Sequence, residues 1–462
     1  MSATADPTPA PTRDADHWTY RLAELTVRHS VPGATLGIWH RGRLIEAAAG
    51  LANADERIEA TPDTVWQIGS ISKVYTTTVA MTLVDEGVLD LDAPVLELLP
   101  ELRVVSEELT LNLTLRHILT HTSGIDGDVF VDTGRGDDCL ERFAALLAEV
   151  DAIHPLGATF SYCNAGFSLL GYVLERVTGL PWDELMRRRL YEPLGLTRTA
   201  TLPEEVLRFR AAAGHLGTPA RVAPQWMLMR NAGPAGLICS TARDLLTFAR
   251  LHLDGGVADE GGRLLSAQSA EAMRTRQVEL PDRYTFGDAW GLGWMLEEWD
   301  GRWLYGHDGS TIGQDAFLRV LPDEELAVCL LTNGGSSRGL YRDLYREVFA
   351  ELAGLAMPAP IAPADHPVAT DPADIVGVYE RTSMRTEVFQ RDGELIVRTR
   401  FSGELAKLVE KVEQEWVMHP LAPGSYVIDR DGKGSWSALV FYTLPDGSRY
   451  LHYGVRTNPK VG

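Results

Sequence analysis

The chain has 462 residues, 45% of them hydrophobic, and a formal charge of −21 at pH 7. That length exceeds one ordinary core, so two domains are expected. The excess of acid argues against a nucleic-acid partner, which is gripped by clustered Lys and Arg, and no stretch approaches the about 18 consecutive apolar residues of a membrane span.

Residues 1–17 are rich in Ala, Pro, Thr and Asp, with neither a basic start nor an apolar core. They read as a disordered tail and not as a secretory signal. A globular domain is expected over residues 18–356. It opens with a β-hairpin, Ala34 to Ala49, turning at Arg41-Gly42. A short β-branched stretch, Thr64 to Ile68, ends at Gly69. A helix follows from Ser72 to Glu86, stopped by Gly87, with Val74, Val79, Leu83 and Val84 available for burial. A second apolar helix is predicted over Phe167 to Val177. Strands return at Trp303 to Tyr305, Ala316 to Leu321 and Leu326 to Thr332, with Pro322-Asp323 as a turn between the last two. An amphipathic helix runs from Leu340 to Ala353, presenting Leu340, Leu344, Val348 and Leu352, and Gly354 ends it. The pattern predicts one sheet built from both ends of the domain, with helices around it. Residues 357–373 carry Pro358, Pro360, Pro363, Pro367 and Pro372 and read as a linker. Beyond it, Asp392-Gly393, Asp431-Gly432 and Asp446-Gly447 punctuate short alternating runs, which predicts a small antiparallel barrel or sandwich over 374–462. Cys139, Cys163, Cys239 and Cys329 are scattered and read as free thiols of a reducing compartment.

One lysine, Lys73, occurs between Met1 and Ala406, although arginine is frequent throughout. A position that refuses arginine needs an amine able to lose its proton, which a guanidinium of pKa above about 12 cannot do. Lys73 stands one helical turn after Ser70, in Gly69-Ser70-Ile71-Ser72-Lys73. The pair reads as a serine nucleophile with its base, at a helix N-terminus whose dipole favours developing negative charge. The plain alternative is a capping serine followed by a surface lysine.

Tyr162-Cys163-Asn164 precedes the Phe167 helix. A tyrosine beside a cation can relay a proton, and an asparagine can donate to a substrate carbonyl while accepting from a lysine. Gly306-His307-Asp308-Gly309-Ser310 joins two strand-like segments, where glycine permits close backbone approach and His307 can add a positive charge or a donor. Two rivals stand beside these. Gly335-Ser336-Ser337-Arg338-Gly339 fits G-x-S-x-G, but a loose polar loop separates it from its strand. His117 and His121 are spaced for a shared metal, yet Ile118 stands where a zinc protease has its glutamate. No metal or cofactor is expected.

In order, Ser70-x-x-Lys73, Tyr162-x-Asn164 and His307-x-Gly309 resemble the three active-site elements of the penicillin-recognising serine enzymes. These include class C β-lactamases, D-Ala-D-Ala carboxypeptidases and related esterases and peptidases. Leu119 to Gly124, Pro193 to Leu196 and Gly236 to Thr241 match as well. The resemblance implies an α+β domain with a five-stranded antiparallel sheet flanked by helices, and an acyl-enzyme formed on Ser70. It further implies Lys73 as proton acceptor, Tyr162 as relay, Asn164 holding substrate and Lys73, and the amides of Ser70 and Ser310 as the oxyanion hole. Substrate contacts are expected at Asp308, Gly309 and Arg456. Two departures narrow the function. Asp308 replaces the threonine of the β-lactamases and would repel a substrate carboxylate unless it points away or pairs with a cation. No export signal is evident, so a cytoplasmic enzyme is expected, acting on a small-molecule or peptide ester or amide, with water, an amine or an alcohol as acceptor. The region after Asp371 resembles the lipocalin-like barrel appended to some of these enzymes, whose tail, Tyr450 to Arg456, would lean over the site.

Overall fold

The computed structural model describes residues 15–104, 106–259, 261–366, 371–403, 406, 411–432 and 434–462. Most of the expected tail lies outside these residues, but helix α1 (Ala15–Arg28) already begins inside it. Strands β1 (Gly33–His40) and β2 (Arg43–Asn53) form the predicted hairpin, with Arg41 and Gly42 both at positive φ. Four further long strands follow late in the chain: β3 (Met295–Trp299), β4 (Arg302–Ser310), β5 (Asp315–Leu321) and β6 (Leu326–Thr332). β6 pairs with β1, so the two ends of the domain close one sheet, as predicted.

The sheet is larger than the five strands expected. It has nine, all antiparallel, in the order Ile58–Glu59, β2, β1, β6, β5, β4, β3, Ala289–Trp290, Val278–Glu279. β3 escaped notice because Glu297-Glu298 breaks its apolar run, and Glu297 is spent on an ion pair to Arg319. The Gly306 to Ser310 segment, expected to join strands, lies wholly inside β4.

Both faces of the sheet are covered. One carries α1 and the C-terminal helix α5 (Ser337–Ala353) through Leu22, Leu25, Leu340, Leu344 and Val348. The other carries α2 (Ser72–Asp85), α3 (Asn164–Thr178) and α4 (Ala242–Leu253). α2 is buried on all sides and not along one stripe. Its run Thr76-Thr77-Thr78 is tolerated there because each hydroxyl donates to the carbonyl four residues back, on Ser72, Lys73 and Val74. No helix among the described residues is long and apolar enough to cross a membrane.

The C-terminal module comprises two sheets and not a closed barrel. β7 (Gly377–Arg381), β8 (Met384–Arg391), β9 (Glu394–Phe401) and β10 (Glu413–Val417) form one; β11 (His419–Ala422), β12 (Ser425–Asp429), β13 (Trp436–Thr443), β14 (Arg449–Tyr453) and β15 (Arg456–Pro459) form the other. They share a core of Tyr379, Val397, Ile428, Leu439 and Leu451. At one edge they are laced by Val461 N–H donating to Val378 O and Val378 N–H donating to Gly462 O. Within the proline-rich segment, Ala364 N–H donates to Pro420 O, so that segment is tied to the module.

Candidate active site

The Gly69–Ile71 turn leads straight into α2, and β4 runs beside it. Their approach demands glycine on both sides. A Cβ on Gly309 would stand 1.9 Å from Ile68 O, and one on Gly69, which has φ +52°, would stand 2.5 Å from Ser310 N. This contact brings the amides of Ser70 and Ser310 together at a helix N-terminus, an arrangement suited to an oxyanion. Gly309 therefore serves the site by its lack of a side chain.

Lys73 is fully buried on α2, with Nζ 3.1 Å from Ser70 Oγ. Its other hydrogen bond goes to Ala235 O at 2.7 Å, and not to Asn164 as expected. Asn164 is the first residue of α3, half-buried. Among the described residues no carboxylate pairs with Lys73. Burial holds its pKa well below the usual lysine value, with Arg456 adding to the effect and Cys163 and Asp128 partly opposing it. A neutral amine keeps a lone pair for the serine proton.

Tyr162 lies under Lys73, its ring centre 4.8 Å from Nζ. Its hydroxyl is buried, near Ser70 but without a well-formed hydrogen bond. The expected lowering of its pKa by a cation does not prevail. Burial pushes the phenol up, and the Ser70 hydroxyl and Arg456 only moderate the rise. The two shifts favour the neutral form of both groups, an amine with a free lone pair and a protonated phenol.

His307 is fully buried on β4, with its ring centre 6.2 Å from that of Tyr162. It is not the expected cation. Burial, followed by the proximity of Lys73, drives its pKa down to about 3. Nδ1 donates to Asp308 O at 2.5 Å, which leaves Nε2 as an unpartnered acceptor. Alternation along β4 turns Asp308 to the opposite face. There it pairs with Arg319 at 2.7 Å and Arg338 at 3.1 Å, and those arginines hold its carboxyl below its usual range against the opposing effect of burial. Asp308 is therefore not a substrate contact, and its objection to carboxylate-bearing substrates falls away.

The C-terminal module completes the site. Tyr162 N–H donates to Val455 O at 3.0 Å, and Thr457 returns hydrogen bonds to Ser161 Oγ and Phe160 O. This lacing places the Arg456 guanidinium 5.6 Å from the Tyr162 ring centre, in an ion pair with Asp128 at 2.6 Å. Arg381 of β7 reaches Asp128 from the other side at 2.6 Å. Asp128, Arg381 and the Ala235 carbonyl escaped sequence reasoning, since nothing in the local patterns around them marks a partner so distant in the chain.

The rivals separate from this cluster. Ser337 opens α5 and donates to the Asp315 carboxylate at 2.6 Å, and among the described residues it has no His or Lys partner. His117 closes a capping box with Thr114. His121 has left the helix at φ +57°, and its Nδ1 accepts from Cys163 N–H, so the two histidines do not face one metal.

Residues 16–352 match the beta-lactamase family, and the chain belongs to it. Penicillin-binding protein 4 of Amycolatopsis lactamdurans is 46% identical over 373 residues, 80% of this chain and 98% of its own length. The crystal structure of SurE superposes with a TM-score of 0.80 at 29% identity, over 97% of this chain and 99% of that one, so the C-terminal module is included. A class C beta lactamase from Rhodobacter sphaeroides covers 73% of the chain at 23% identity and a TM-score of 0.59, a likeness of fold.

Proposed function

We propose that the chain is an acyl-enzyme-forming serine hydrolase acting on esters or amides, including peptide amides. The observation that carries the reading is the buried, carboxylate-free Lys73 standing 3.1 Å from Ser70 Oγ. Ser70 Oγ bonds to the substrate carbonyl carbon as its proton passes to Lys73, and the carbonyl oxygen becomes an oxyanion held by the amides of Ser70 and Ser310. Collapse breaks the bond to the leaving group, which takes the Tyr162 proton. Water then enters by the reverse transfers and releases the acid. Asn164 is assigned to the substrate carbonyl and Arg456 to substrate selection. The four cysteines are buried and unpaired, which suits the cytoplasm. The test is labelling with a fluorophosphonate: wild type and Ser337→Ala should gain one adduct and Ser70→Ala none. An adduct lost only in Ser337→Ala would overturn the assignment.

A second reading passes the acyl group to an amine. It is favoured by SurE, which shares both parts of this chain and was crystallised with D-Leu, a molecule with a free amine. Product analysis with and without D-Leu separates hydrolysis from transfer. β-Lactams are a further acyl donor to try, given the relative called a penicillin-binding protein and the averted Asp308 carboxylate.

A further inference from the structure

His121 is turned away from His117, and its contacts converge on the segment that carries Tyr162. It follows the short helix Leu115–Leu119 at φ +57°, a left-handed conformation that a residue with a Cβ adopts when its surroundings hold it there. Its side chain is fully buried. The His121 carbonyl accepts from Ser161 N–H at 2.9 Å, while the ring Nδ1 accepts from Cys163 N–H at 3.0 Å. Tyr162 lies between those two anchors. The imidazole also lies against the phenol, with ring centres 4.3 Å apart and planes tilted by 34°. One strained residue thus holds the chain before Tyr162, the chain after it and a face of its ring.

The imidazole can do this in one state only. An acceptor at Nδ1 leaves the ring proton on Nε2, which among the described residues has no hydrogen-bond partner. The ring is enclosed by Phe160, Phe167 and Trp290, whose centres lie 5.6, 5.2 and 4.9 Å away. A proton added at Nδ1 would face the Cys163 N–H donor. Burial first, then Lys73, His307 and Arg456, hold the His121 pKa well below the usual histidine value, so the accepting state persists. We propose that His121 is a positioning residue for Tyr162, holding the phenol where its proton reaches the leaving group. The proposal rests on the acyl-enzyme reading and adds the residue that aims the acid. In the step concerned, the bond from the former carbonyl carbon to the leaving oxygen breaks. That oxygen keeps the electron pair and takes the Tyr162 proton, and the phenolate recovers a proton from the Lys73 ammonium.

The experiment compares kcat/KM for p-nitrophenyl butyrate, whose leaving group departs as a stabilised anion, with that for ethyl butyrate, whose leaving alkoxide needs a proton. Tyr162→Phe sets the reference: it should lose about a hundredfold on the ethyl ester and about threefold or less on the p-nitrophenyl ester. His121→Gly accepts the backbone conformation but removes the ring and its acceptor, and should show the same selectivity. His121→Asn tolerates the left-handed region and keeps an acceptor for Cys163 N–H, so it should recover most of the ethyl ester rate. An equal loss on both esters in folded His121→Gly, or no loss, overturns the positioning role. If that happens while Tyr162→Phe stays selective, Ser70 and Tyr162 keep their parts in the mechanism; a Tyr162→Phe without selectivity removes the acid and the positioning role together. Should His121→Gly not fold, nitrogen-15 NMR of the wild-type imidazole decides, its signal identified by its loss in His121→Asn. A proton on Nε2 alone at pH 7 supports the role, and one on Nδ1 overturns it.

Discussion

The Arg456 guanidinium lies 5.6 Å from the centre of the Tyr162 ring, and Lys73 Nζ lies 4.8 Å from the same centre. Two cations around one buried ring repel, and only lysine can yield its proton. Arg456 thus adds to the burial that holds the Lys73 pKa down, and removing it should raise that pKa. Because the neutral amine is the active form, the acid limb of kcat/KM should move to higher pH. For Arg456→Met the expected shift is about one unit, with about tenfold lower kcat/KM on that limb. Arg456→Lys should restore part of the position. An unmoved limb with only KM altered would leave Arg456 a substrate contact and nothing more.

The proposed oxyanion hole needs the close approach of β4 to the Ser70 turn. A Cβ at Gly309 would stand 1.9 Å from Ile68 O and 3.0 Å from Ser70 N, so Gly309→Ala must push strand and turn apart. The acylation rate should fall by about a hundredfold or more, the scale of a lost oxyanion donor. Stopped-flow burst kinetics on a p-nitrophenyl ester measures it, with circular dichroism as a check on folding. Acylation at the wild-type rate would remove the Ser70 and Ser310 amides from the mechanism.

Geometry that is local in the chain was legible. Ser70 sits in the turn that leads into α2 and Lys73 in the first turn of that helix, and the lone lysine at position 73, which the sequence set apart from the arginines, is fully buried. The hairpin over β1 and β2 was equally plain, because its alternation and its turn residues lie together. What failed was everything set by burial and by distant chain. His307 looked cationic in isolation, and only the dry pocket beside Lys73 makes it neutral. Asp308 looked like a substrate contact until Arg319 and Arg338 were found behind it. Asp128 carried no signal at all, since Arg456 and Arg381, the residues that give it meaning, arrive more than 250 positions later.

Buried neutral histidines should make this protein acid-sensitive. His307 and His252 are driven down to about 3, and His154 to about 4, each chiefly by burial. The unfolded chain binds those protons near the ordinary histidine pKa of about 6.5 and the folded chain does not, so stability is unaffected above that pH and falls as pH drops below it toward the folded values. Each histidine contributes up to about 1.4 kcal/mol per pH unit inside that window. Urea unfolding at pH 7, 6 and 5 measures the slope. His252, which meets Thr78 at 3.0 Å, lies outside the catalytic cluster. His252→Gln should flatten the slope by one proton whatever it does to absolute stability, and an unchanged slope would contradict its buried neutral state.

Asp308 provides the sharpest separation between building the site and serving it. Its carboxylate is shared by Arg319, whose side chain is 3% exposed, and by half-exposed Arg338. Removing it strands a buried guanidinium with, among the described residues, Glu297 as its one remaining acid. Asp308→Ala should therefore cost about 3 kcal/mol in denaturant unfolding. Since the carboxylate faces away from Ser70, the folded variant should keep KM for a neutral ester within about twofold of wild type, because surviving contacts at the carbonyl are untouched. Unchanged stability together with a large rise in KM would return Asp308 to the substrate and undo the reading of β4 as a strand with one catalytic and one structural face.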